Sequence, residues 1–143
     1  MKLYFAYGSN LSREQMDDRC PGNERLGGAI LRGYAWYITS RTYASIRESK
    51  LDHVEGFLYR ITDANERELD KFEGVTRGLY EKHYIQMEHN GKIMKGVLVY
   101  IDPVTSEGEP QDWYITAINK GIVDAQLSPE YVMRYIRPFI PAQ

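Results

Sequence analysis

The stretch Tyr4-Phe5-Ala6-Tyr7-Gly8-Ser9-Asn10-Leu11 limits the possible folds more than any other part of this chain. Residues Lys2 to Tyr7 are largely apolar or aromatic on both faces of an extended segment, and a strand with no face for water reads as central rather than edge. A sheet therefore has to be built around the N-terminal strand. Directly after it, a Gly-Ser-Asn corner turns the chain. Ser12, followed three residues later by Gln15, has the capping-box pattern and predicts a short helix to about Arg19, ended by Pro21-Gly22.

The remaining elements follow from punctuation and periodicity. Ala29 to Thr39 predicts a second strand bent at Gly33, and Val54 to Ile61 a third, with Gly56 where a backbone or ligand comes close. The polar stretch Ser40 to Asp52 between them reads as a loop. Thr62-Asp63 opens a helix through Phe72, with Asp63 and Glu66 spaced as a capping box and Gly74 as the stop. Leu79 to Met87 and Lys92 to Ile101 are strands joined around Asn90-Gly91, a dipeptide whose tolerance of positive φ favours a tight hairpin. Asp112 to about Lys120 predicts a helix closed by Gly121, and Ser128-Pro129-Glu130 caps a last helix ending before Pro138. Strands and helices mix irregularly, so the expected class is α+β with a mostly antiparallel or mixed sheet, a barrel-like curl being one form of it.

With 143 residues, 43% hydrophobic and 27% charged, the chain is expected to form one domain over residues 1–143. A net charge of -2 and the lack of any Lys/Arg run argue against nucleic acid or a membrane surface as partner, and for a small molecule. The single cysteine, Cys20, excludes an internal disulfide and any zinc site with more than one Cys ligand. His53, His83 and His89 lack metal-ligand spacing, so neither metal nor cofactor is expected. Met1-Lys2 leads straight into the first strand without a secretory apolar stretch, from which a cytoplasmic location is expected. Twelve tyrosines against four phenylalanines suit the wall of a pocket for a small polar ligand, although half-buried strand positions use tyrosine as well.

Two stretches carry chemistry. At the start of a helix several N–H groups lack partners and the dipole is positive, so the Gly8-Ser9-Asn10 corner is a natural cradle for a carboxylate or developing oxyanion. The alternative reading is that Ser9 and Asn10 simply stabilise the turn through their own side chains. The corner lacks the GxxxxGK[ST] and GxGxxG phosphate patterns and the G-x-S-x-G nucleophile elbow. The second stretch is Glu68 to Tyr80, where Glu73 ends a helix beside Gly74, at the negative pole of the dipole. An exposed helix-end glutamate is one reading. A glutamate partly buried by Phe72 and nearby tyrosines is the other, and it would have a raised pKa suited to taking and giving protons near neutral pH.

Taken together, Tyr-Gly-Ser-Asn-Leu after an N-terminal strand and Glu-Gly-Val with Tyr80 seven residues past Glu73 resemble the gamma-glutamylcyclotransferase family, the AIG2-like or GGCT-like superfamily. The likeness covers nearly the whole chain, including Val-Glu-Gly-Phe-Leu-Tyr-Arg-Ile at 54–61, the hairpin ending in Tyr100, and Ser-Pro-Glu-Tyr-Val-Met-Arg-Tyr-Ile at 128–136. It implies a small mixed, mostly antiparallel barrel-like sheet flanked by helices. It also implies cleavage of a γ-glutamyl amide by the substrate's own α-amine, releasing 5-oxoproline and an amino acid or amine, without cofactor or metal. By the same resemblance Glu73 is the catalytic carboxylate, and Tyr7, Gly8, Ser9, Asn10, Tyr80, Tyr100 and Tyr114 bind substrate. The leaving group does not carry over, and monomer and homodimer both remain open. Two other functions fit the same residues: a non-catalytic domain binding a small carboxylate, and a γ-glutamyl acyltransferase or hydrolase using an external nucleophile.

Overall fold

In the computed structural model, which describes residues 1–143, the first strand, β1 (Lys2–Ala6), has a neighbour on each side, as its two apolar faces require. One is β3 (Ala44–Ile61), antiparallel; the other is β5 (Lys92–Ile101), parallel. With β2 (Glu24–Ile38) and β4 (Glu81–His89) these strands close into a barrel in the order β1-β3-β2-β4-β5, and every pairing except β1 with β5 is antiparallel. The expected mixed, mostly antiparallel sheet is thus a closed five-stranded barrel. At Gly56 an added Cβ would lie 2.3 Å from the Ala6 carbonyl oxygen, so only glycine allows β1 and β3 to approach this closely.

Residues Ala44 to Asp52, expected as loop, are instead the first half of β3. Tyr34 through Ile38 of β2 pair with Glu48 back to Ala44, and the register shift that joins this arm to the rest of the ribbon falls at Gly33. The polar residues of this arm from Arg47 onward are not buried, whereas Ala44, Ser45 and Ile46 are; the buried Ser45 hydroxyl donates to the Asp102 carbonyl at 3.1 Å and accepts the Asp102 N–H at 3.0 Å. Strand β2 also starts earlier than expected, at Glu24. The β4–β5 hairpin turns at Asn90 and Gly91, with φ of 50° and 75°.

Four helices pack on the barrel. Helix α1 (Arg13–Arg19) is capped by Ser12, whose side chain accepts from the Gln15 N–H. Helix α2 (Asp63–Phe72) has its capping box on Thr62 and Asn65, not on Asp63 and Glu66. Glu66 is held elsewhere, its carboxylate bridging Lys2 at 2.8 Å and Lys82 at 2.5 Å. Gly74 ends α2 in the left-handed region, with φ of 63°. Helix α3 (Asp112–Asp124) runs through Gly121, which was expected to close it. An added Cβ there would lie 2.6 Å from Leu11 Cβ, so this glycine serves close packing of α3 on the N-terminal corner. Helix α4 (Pro129–Tyr131), capped by Ser128, widens into a π-helical turn over Val132–Ile136. Strand residues Phe5, Leu31, Ile46, Leu58 and Leu98 and helix residues Met16, Leu69 and Ile118 meet in one core, each at most 1% exposed. No helix is long and apolar enough to cross a membrane.

Candidate active site

The corner between β1 and α1 is fixed from several directions. Ser9–Leu11 form a 3-10 turn, closed by the Leu11 and Ser12 N–H groups on the Gly8 and Ser9 carbonyls, both at 3.0 Å. The Gln15 side chain does not complete a capping box. Its Nε2 reaches back to Ser9 Oγ at 2.6 Å and Asn10 Oδ1 at 3.0 Å, and one helical turn later Arg19 donates to the same Oδ1 at 3.1 Å. On the barrel side Asn10 Nδ2 donates to Tyr4 Oη at 2.9 Å, Tyr59 Oη donates to the Asn10 carbonyl at 3.2 Å, and Trp36 Nε1 donates to the Tyr7 carbonyl at 2.9 Å. Asn10 is 4% exposed, so these bonds satisfy polar atoms that water does not reach. Gly8 leaves no spare room, since an added Cβ would lie 3.1 Å from Tyr114 Oη and 3.4 Å from Ala44 Cβ.

Glu73 is built by the opposite rule. It is the C-cap of α2, its N–H bonded to the Leu69 carbonyl at 2.8 Å, at the helix end where the dipole disfavours a carboxylate. No protein group hydrogen-bonds its side chain. The residue keeps some accessible surface, from the cavity it lines, but protein surrounds it closely enough that burial pushes the carboxyl up to about 7. Arg19 pulls the other way, toward the ionised form.

Between these two features lies a cavity of about 350 Å³. All eight residues singled out in the sequence, Tyr7, Gly8, Ser9, Asn10, Glu73, Tyr80, Tyr100 and Tyr114, line it. The tyrosine hydroxyls are committed to the wall: Tyr7 donates to the Tyr100 carbonyl at 2.5 Å, Tyr80 to the Ala44 carbonyl at 2.8 Å, and Tyr100 to Asp70 Oδ1 at 2.7 Å. Tyr114 Oη accepts from the Ala44 N–H at 3.1 Å. Burial raises the pKa of each of these four phenols, which are therefore neutral near pH 7.

Sequence reasoning missed Tyr4, Arg19, Arg41, Tyr43, Arg77 and Trp113, all of which line the same cavity. Arg19 had a readable signal: Gln15 and Arg19 are four apart on a capped helix, hence on one face, next to a corner with side-chain acceptors. The others come from separate parts of the chain, Tyr4 from β1, Arg41 and Tyr43 from the turn before β3, Arg77 from the turn after α2 and Trp113 from α3, and no local pattern brings them together.

The family model described as gamma-glutamyl cyclotransferase, AIG2-like, matches residues 4–116. YkqA of Bacillus subtilis (strain 168) is 29% identical over 142 residues, covering 94% of this chain and 50% of that protein. The gamma-glutamylcyclotransferase of Bos taurus is 38% identical over 88 residues, covering 54% of this chain and 47% of that protein. The chain thus spans about half the length of these relatives. A solved gamma-glutamyl cyclotransferase structure superposes with a TM-score of 0.86 at 27% identity, covering 99% of this chain and 89% of that one.

Proposed function

The chain belongs to the gamma-glutamyl cyclotransferase, AIG2-like family, and on that premise we propose that it cyclises γ-glutamyl amides to 5-oxoproline, with Glu73 as the proton carrier. The observation that carries this reading is Glu73 itself, an unpartnered carboxyl raised to about 7 in the same cavity as the Gly8-Ser9-Asn10 corner.

The chemistry runs as one exchange of bonds. The substrate's neutral α-amine attacks its γ-carbonyl carbon, forming the C–N bond of a five-membered lactam and a tetrahedral oxyanion. Ionised Glu73 takes the proton from the attacking nitrogen and gives it to the departing one, and the old C–N bond breaks. General acid–base help of this kind contributes about 10²–10⁴-fold. A pKa near 7 lets one carboxyl do both jobs: ionised often enough to accept, acidic enough to donate.

In this reading the amides of the corner hold the γ-glutamyl end and face the oxyanion, where one well-placed donor is worth about 10²–10³-fold. The tyrosine wall keeps the glutamyl arm folded back on itself, the near-attack shape that an extended chain must reach before it can close. The reaction is redox-neutral and asks for no cofactor. It acts on a small substrate in the cytoplasm.

The test is 5-oxoproline release from a panel of γ-glutamyl amino acids, peptides and amines, with wild type beside Glu73→Gln, and with each substrate repeated in α-N-acetylated form. Release by wild type from the free-amine substrates alone is the expected result. Release of glutamate or of a transfer product from the acetylated substrates would point instead to an external nucleophile, and no turnover together with tight binding would point to a binding domain.

A further inference from the structure

The cavity divides by burial. Its floor, including Tyr7, Asn10, Tyr100 and Tyr114, is buried, whereas its rim carries Arg41, Tyr43, Arg77 and Trp113. Arg41 is 38% exposed at its side chain, and Tyr43 and Trp113 are 37% and 49% exposed. Ring closure requires the glutamyl arm to lie on the floor beside Glu73 and the corner. Whatever is attached to the γ-nitrogen therefore lies along the rim.

The rim has one uncommitted charge and one apolar shelf. Arg41 donates to the Leu79 carbonyl at 3.2 Å and stands 3.7 Å from Oδ1 of Asp102, a residue 1% exposed whose other carboxylate oxygen has no partner. That acid balances Arg41 and holds it in place. Arg19 is engaged by Asn10 and lies over the Phe72 ring at 4.3 Å. The Arg77 side chain makes neither an ion pair nor a hydrogen bond; only the residue's backbone N–H is bonded, to the Gly74 carbonyl at 3.0 Å. Its guanidinium folds back over Gly74, the residue after Glu73, where an added Cβ would lie 3.2 Å from Nη2, and it lines the same cavity as Glu73. Tyr43 and Trp113 stand 6.2 Å apart and both pack against Tyr114 at 5.4 Å, so an aromatic surface leads from Gly8 out to solvent.

Resting on the cyclotransferase reading, we propose that this rim is a leaving-group subsite that selects γ-glutamyl amides whose nitrogen carries a carboxylate and an apolar or aromatic side chain, in preference to γ-glutamyl amines. Arg77 takes the carboxylate, and the Tyr43–Trp113 surface packs the side chain. A leaving group with a cationic tail meets the Arg41 and Arg77 guanidiniums here and is disfavoured.

The experiment compares γ-glutamyl-phenylalanine with γ-glutamyl-phenethylamine, which differ only in the carboxylate. Two quantities are read for each: affinity for the Glu73→Gln protein by calorimetry, and 5-oxoproline release by wild type. The expected result is a preference of about ten-fold in affinity for the carboxylate compound, a size typical of a charge-assisted bond. Adding Arg77→Gln should bring the ratio near one, and Arg77→Lys should restore part of it. Arg77 sits in an exposed turn, so these variants are expected to fold. Equal affinities, no measurable binding of either compound, or a preference that survives Arg77→Gln would overturn the proposal. A carboxylate preference without any 5-oxoproline release would overturn the cyclotransferase reading and leave the subsite standing. Trp113→Ala should remove most of the affinity difference between γ-glutamyl-phenylalanine and γ-glutamyl-glycine; an undiminished difference would remove the aromatic surface from the assignment.

Discussion

Asn10 and Glu73 line one cavity, yet Asn10 is bonded to Tyr4, Gln15, Arg19 and Tyr59 while the Glu73 carboxylate has no hydrogen-bond partner at all. In the proposed reaction, the difference matches the task of each region. Groups that hold a substrate end or an oxyanion must already point the right way, because reorganising them during the reaction costs rate. A proton carrier needs the reverse, a group with no fixed partner and a pKa close to the working pH. The fold supplies the first with a bonded corner and the second by ending α2 on a glutamate in a tyrosine-lined pocket.

The comparison breaks most visibly at Glu73. Glu73→Gln keeps the shape and removes the proton transfer, and 5-oxoproline release is expected to fall by about 10²–10⁴-fold. The same change should stabilise the protein. A carboxyl raised by burial from 4.5 to about 7 holds more protons folded than unfolded across that window, so its contribution weakens the fold as pH rises through it. Above pH 7 the full cost is present, up to ~3 kcal/mol, and below 4.5 it vanishes. Thermal melts should therefore favour Glu73→Gln at pH 8 and show no gain at pH 4.

On the corner side the expected effects are smaller and of opposite sign for stability. Gly8→Ala crowds Tyr114 Oη at 3.1 Å and displaces the corner; kcat/KM should drop roughly 10- to 100-fold, read in the same release assay. Asn10→Ala strands Tyr4, Gln15 and Arg19 partners in a buried site and should cost about 1–3 kcal/mol in urea unfolding. Gln15→Ala removes only the part-buried brace on Ser9 and Asn10, a loss of about 0.5–1.5 kcal/mol. An Asn10→Ala protein as stable as wild type would mean that the corner is not held by this network.

What the sequence made legible was local. β1, the corner, the Ser12 cap, the Gly74 stop and the Asn90-Gly91 hairpin each follow from residues within a turn or a short run of one another. What it concealed was set by distant partners. Ala44 to Asp52 reads as loop because it is polar and irregular, and the partners that make it strand, β2 by backbone pairing and Asp102 through the Ser45 hydroxyl, lie outside it. Gly121 looked like a stop because the contact that explains it, Leu11, comes from the opposite end of the chain. Glu66 fitted a cap by spacing but is drawn off by Lys2 and Lys82. The Gly8-Ser9-Asn10 corner and Glu73 were readable through two motifs and Tyr100 and Tyr114 through the family resemblance, whereas the rim was not, because Arg41, Tyr43, Arg77 and Trp113 meet only when the barrel closes.

The most direct test of the account is to titrate the Glu73 carboxyl in the free protein by NMR and to record the pH dependence of kcat/KM for 5-oxoproline release beside it. The account predicts that both midpoints fall near 7, with activity rising as Glu73 ionises. A Glu73 midpoint near the ordinary 4.5, or an acid limb of the rate profile that persists unchanged in Glu73→Gln, would contradict it.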